Sequence, residues 1–170
     1  MRETDITKGL VAGVAGGLLA SFLMEQFQAL WSRAAEEFKS AEEDEEPAAK
    51  AKREPATVQA AQAISKGLTG KKIRKKQKPL AGEAVHYAMG ATSGAIYGVV
   101  AELLPLATAG EGLAFGASVW MAADNAIVPA LGFAKGPTET PVSTHIYALA
   151  SHLVYGIATE AVRRAVRSAL

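Results

Sequence analysis

The sequence predicts an all-α integral membrane bundle of about four transmembrane helices, with a charged, partly disordered linker after the first. Two observations carry that expectation. Of 35 charged side chains in 170 residues, 21 lie in residues 33–83, so the other 119 residues hold only 14. Outside that block stand four apolar, glycine-rich stretches with the length of bilayer-crossing helices. No stretch alternates polar and apolar residues as a strand would. A net charge of +1 excludes a generally basic nucleic-acid binder, and the absence of cysteine excludes disulfide scaffolds, thiolate metal sites and thiol catalysis.

Residues 1–32 form the first predicted helix. Positions 9–24 carry no charge, and the apolar run then admits Glu25 and continues to Trp31. At about 1.5 Å per residue, 8–31 covers roughly 35 Å, enough for a hydrocarbon core of about 30 Å. A cleavable signal peptide is the rival reading, with Arg2 and Lys8 as its basic start and Ser32-Arg33-Ala34 as the cleavage site. Glu25, Gln26 and Gln28 break the simple run such a signal needs.

Residues 33–83 read as a flexible linker. It holds an acidic block, Glu42, Glu43, Asp44, Glu45 and Glu46, and then helical spacing of Val58, Ala61, Ile64 and Leu68. The basic run Lys71, Lys72, Arg74, Lys75, Lys76 and Lys78 follows, and it reads either as a patch for anionic lipid or as solvated, topology-setting charge.

Residues 84–170 form the three-helix region. Its stretches are 84–107, with only His86 and Glu102 charged or ionisable, 112–134, with only Asp124, and 143–162, with His145, His152 and Glu160. The short link 108–111 makes the second and third helices antiparallel neighbours. Pro105 closes the second, Gly136, Pro137 and Pro141 make a turn before the fourth, and Pro129 breaks or ends the third. With Asp124-Asn125, that break leaves open a third segment that enters and returns without crossing. Orientation is also open, because four crossings put Lys71–Lys78 and the group Arg163, Arg164, Arg167 on opposite sides.

A four-residue period runs through each stretch: Gly9, Gly13, Gly17, Ser21, Glu25; His86, Gly90, Gly94, Gly98, Glu102; Gly112, Gly116, Trp120, Asp124; Thr144, Ala148, His152, Gly156, Glu160. Small residues at this spacing let membrane helices approach closely, so the ridges read as packing seams and as a route to a homo-oligomer. With alternating helices, Glu25, His86 and His145 fall towards the linker side, Asp124 and His152 near the middle, and Glu102, Glu160 and Arg163 towards the N-terminal side. A charge at the bilayer centre costs about 2.5–3.5 kcal/mol, so Asp124 needs a partner, and His152 matches its depth.

These eight residues, Glu25, His86, Glu102, Asp124, His145, His152, Glu160 and Arg163, are the candidate polar network or transport path. No Glu-x-x-His pair or close ligand spacing points to a metal, no nucleophile pattern to catalysis, and no loop to a cofactor. The function read from the residues is that of a structural or accessory membrane protein. The alternative is a small transporter or proton-coupled channel using the intramembrane acids and histidines, and a membrane metalloenzyme is a third.

The second half also resembles a known family. Tyr97-Gly98, Ala101-Glu102, Pro105, Gly112, Gly116, Pro129, Gly132, Pro137, Pro141, His152, Glu160 and Arg163-Arg164 stand in an order similar to the YagU-like bacterial inner-membrane proteins, a domain of unknown function. Gly9-Leu10 and positions 13–17 are similar to that family's opening segment, while 33–83 departs from it. The resemblance implies a multi-pass protein of the bacterial inner membrane and supplies no reaction, cofactor or partner.

Overall fold

The computed structural model describes residues 5–40 and 54–170, the last three of the first segment as backbone only. The acidic block at 42–46 lies outside the described residues. All regular structure there is helical: α1 (Ile6–Ser40), α2 (Ala56–Thr69), α3 (Lys78–Leu103), α4 (Leu113–Ala122), α5 (Val128–Ala130) and α6 (Val142–Ala169). One helix, over Ile6–Glu37, is long and apolar enough to cross a membrane. The other long helices carry histidine, which α1 lacks, α6 also holds more hydroxyl groups and three arginines, and α4 is interrupted.

Two of the boundaries differ from the sequence expectation. Helix α1 runs eight residues past position 32, through Ala34, Ala35, Glu36 and Glu37, all strong helix formers. Helix α3 starts at Lys78 rather than 84, with Pro79 in its first turn, where a missing N–H is harmless. Between them the expected linker contains α2. It ends on Gly70, in the left-handed conformation, whose N–H bonds the Lys66 carbonyl. Val58 and Ala61 of α2 are buried, and Val58 sits on Gly82 of α3, where any side chain would collide with it.

The bundle is built on α1. Its glycines meet those of α3 head to tail: a Cβ at Gly13 would strike the Gly94 carbonyl, one at Gly17 the Gly90 carbonyl, and one at Gly98 the Gly9 carbonyl. Only residues without a side chain allow backbones this close. On another face Gly16 lies against the Thr159 carbonyl of α6, and Ala20 and Met24 pack on Tyr155. Helix α4 lies along α6 by the same device, with Gly112 against Gly156 and Gly116 against the His152 carbonyl. Its Phe115 stacks on Tyr97 of α3 at 4.2 Å. Consecutive left-handed residues Gly110, Glu111 and Gly112 make the sharp turn that delivers α4 there.

Between α4 and α5 the chain widens into a π-helical turn, Ala123–Ile127, closed by Val128 N–H to the Ala123 carbonyl five residues back. Pro129 explains it. The ring would press on the carbonyl of residue 125 in a regular helix, and the wider turn removes that clash without ending the helix. The segment enters against Gly156, midway along α6, and ends with the Phe133 carbonyl accepting Gln59 Nε2 of α2 at 2.9 Å.

Candidate functional site

Antiparallel packing gives the bundle two ends, and the candidate ionisable residues sort into three groups of neighbours. At the end formed by the start of α1 and the close of α6, Glu102 accepts the Asp5 backbone N–H at 3.2 Å and Arg167 Nε at 2.7 Å. Glu160, only 1% exposed, takes Arg163 in a fork, Nε at 2.7 Å and Nη2 at 2.9 Å. Arg164 also bonds Glu160 and reaches Glu111 at 2.6 Å. The Arg163 guanidinium lies over the Tyr97 ring, 5.9 Å from its centre. Glu102, Glu111 and Glu160 therefore each have an arginine, the strongest and least titratable counter-charge.

At the other end, Glu25 accepts Tyr87 O–H at 2.9 Å and stands 4.0 Å from His86 Nε2, too far for a hydrogen bond. His86 Nε2 is buried with no hydrogen-bond partner among the described residues. Beside this end α2 and the loop after it hold an open groove of about 440 Å³ lined by Gln59, Lys66, Lys72 and Phe133 among others. Lys78 pairs with Glu54 across the groove's edge, and that ammonium holds the Glu54 carboxyl below the usual carboxylate range.

The third group is different. Asp124, on the π-helical turn, has its Oδ2 3.7 Å from His152 Nδ1, and no arginine or lysine is paired with it among the described residues. His152 Nδ1 also lies 2.9 Å from the Ala148 carbonyl, and His145 Nε2 lies 2.9 Å from the Pro137 carbonyl. The Trp120 ring meets His145 edge-on at 6.0 Å, and its Nε1 is buried without a hydrogen-bond partner among the described residues.

The eight residues expected to form the network thus fall into three separate groups: Glu102, Glu160 and Arg163; Asp124, His145 and His152; Glu25 and His86, with His145 near Asp124 rather than with the Glu25 and His86 it was expected to join. Among the described residues no three His, Asp or Glu side chains come together around a metal-sized space. Sequence reasoning missed Tyr155, whose hydroxyl donates to the Gly90 carbonyl at 2.7 Å and meets Ser93 Oγ at 2.8 Å, joining α6 to α3. Its signal was the ridge itself. Three residues further along α6 than His152, it faces the glycines that leave the α3 carbonyl bare. Tyr87 and Arg167 were also unassigned as partners, because each is bound to a residue more than sixty positions away.

The family model described as "Protein of unknown function (DUF1440)" matches residues 38–161. The matched range takes in the charged stretch 38–83, which the resemblance noted above left out, and omits most of α1. No curated protein and no solved structure matches the chain.

Proposed function

We propose, starting from the DUF1440 family to which this chain belongs, that it is a multi-pass protein of a bacterial inner membrane, related to the YagU-like proteins, with a structural or accessory role. The supporting observation is an inverted surface. The largest fully buried side chains are Glu160, Thr159, Ser21 and Ser151, while Leu10, Leu18, Leu19, Phe22 and Leu23 of α1 stand at least 40% exposed. Met89 and Ile96 of α3 and Ile146 and Ile157 of α6 are exposed as well. In water so broad an apolar surface drives association, whereas in lipid it is the side that faces the acyl chains. Helices α3 and α6, 26 and 28 residues, reach about 39 and 42 Å, long enough to cross with α1.

In this reading the glycine ridges and buried polar pairs hold the bundle together. Because the ridges are buried within one chain, any contact between copies falls to the outward faces. Lys71, Lys72, Arg74, Lys75, Lys76 and Lys78, with the groove at Lys66, would take anionic headgroups. The absence of cysteine makes the test clean. Single cysteines at Ala109 and Thr138 should react with a membrane-impermeant maleimide from opposite faces of sealed vesicles, and the protein should stay in the pellet after alkaline carbonate. Release into the supernatant as a detergent-free monomer overturns the reading.

A further inference from the structure

We propose that Asp124, on the π-helical turn, and His152 of α6 form a proton-binding site, a conclusion that rests on the membrane reading above. The other two groups lack one of its features. Glu102 and Glu160 are neutralised permanently by Arg167 and Arg163, and Glu25 sits at the linker end, where Tyr87 O–H bonds it. Among the described residues Asp124 is paired with an imidazole alone, 3.7 Å away. A carboxylate on a membrane helix without a fixed cation leaves one unbalanced charge, and intramembrane acids of that kind mark ion or proton sites.

The histidine geometry says which atom can take the proton. A carbonyl oxygen only accepts, so the 2.9 Å contact with Ala148 fixes the His152 hydrogen on Nδ1. Nε2 is then the basic nitrogen. One added proton lands either on Nε2, giving imidazolium beside carboxylate, or on the Asp124 carboxyl beside neutral imidazole. Both states are neutral overall, and without the proton the pair carries one net negative charge, on a carboxylate 38% exposed beside a largely buried imidazole.

No other charged group can replace that proton. On α6, His145 is the other titratable side chain near Asp124, and its Nε2 is engaged with the Pro137 carbonyl. From α1, Glu25 turns to Tyr87 and His86 of α3. From α3, Tyr97 stacks on Phe115 towards the arginine end, and Tyr155 of α6 is bonded to Gly90. The π-helical turn supplies the second, independent feature. It places Asp124 at an irregular point of the helix, and single π turns recur at functional sites because they re-aim side chains and loosen the backbone.

The test uses the full chain in lipid nanodiscs, with infrared difference spectra recorded across pH. The wild type should show a protonated-carboxyl band that titrates, is absent in Asp124→Asn, and has its midpoint displaced by about one pH unit or more in His152→Gln. Glu54→Gln, at an exposed pair away from Asp124, should leave the band in place. A band that survives Asp124→Asn, or titrates unchanged in His152→Gln, overturns the proposal. Disappearance of the titration on adding Zn²⁺ or Na⁺ at constant pH would assign the pair to a metal cation and overturn it too. Carbonate extraction of the same variants reports separately on the membrane reading, so the two failures are distinguishable.

Discussion

At the scale of single residues, the sign of a glycine substitution depends on what the missing Cβ would meet. At Gly94 it would strike the Gly13 carbonyl and the backbone of Gly17, neither of which can swing aside. Gly94→Ala should therefore cost about 1–3 kcal/mol of stability as overpacking. Gly67, in α2, has nothing within 4 Å, and Gly67→Ala should instead gain about 0.5–1 kcal/mol from helix propensity. Thermal unfolding of both variants in detergent checks the pair, and equal shifts would deny that α1 and α3 touch through their backbones. The buried ion pair makes a second contrast. Removing one partner, Glu160→Gln, strands the Arg163 guanidinium and should cost about 3–5 kcal/mol, whereas Glu160→Gln with Arg163→Met should recover most of it. An additive double variant would mean the two charges do not rely on each other.

At the scale of elements, helix α2 is held by few contacts, so its docking can be broken separately. Gly82→Leu drives a side chain into Val58, 2.7 Å from the added Cβ, and should release α2 while leaving the α1–α3 seam intact. A spin-label pair placed on α2 and α3 should show the broadened distance. The Glu54–Lys78 bridge should contribute in the same direction. Its carboxyl titrates lower than in the free chain, so its help is present above the ordinary carboxylate range and is lost as pH falls through the lowered value. Glu54→Gln at neutral pH should then resemble the wild type in acid, each a small effect because the pair is exposed. These elements also show what was readable in advance. The seams were legible because a four-residue period of glycine has no use except close approach. The docking of α2 was not, since an alanine-rich face looks the same in a solvated linker, and the π-helical turn was not, since one widened turn leaves no mark on composition. Register was hidden for a different reason: a ladder repeating every four residues fits equally well after sliding by four. The polar ends break that degeneracy, Tyr87 to Glu25 at one end and the Asp5 N–H to Glu102 at the other, each joining residues more than sixty positions apart.

At the scale of the whole molecule, the two groups of basic residues that conflicted in the sequence differ in what surrounds them. Arg163, Arg164 and Arg167 are all taken up by Glu160, Glu111 and Glu102 within the bundle. The residues 71–76 lie in an exposed loop and in a 3₁₀ turn, Lys75–Gln77, that leads into α3. Among the described residues, Arg33, Lys66, the six basic residues of 71–78 and Lys135 stand at the end of the bundle away from the start of α1. The excess of basic residues in short loops sets which side stays in the cytoplasm, and carboxylates counterbalance it little. The linker end should therefore be cytoplasmic, and the end carrying Glu111 and the start of α1 should face outwards. A cysteine at Ala109 should be labelled in intact cells and one at Lys76 only after lysis. The opposite pattern would mean that the arginines of α6 govern insertion despite their pairing. With that orientation the lysine loop also meets the leaflet where anionic lipid is concentrated, so exchanging Lys71, Lys72, Lys75 and Lys76 for glutamine should weaken flotation on anionic vesicles. Neutral vesicles should show no such change, which separates headgroup attraction from insertion of the apolar faces.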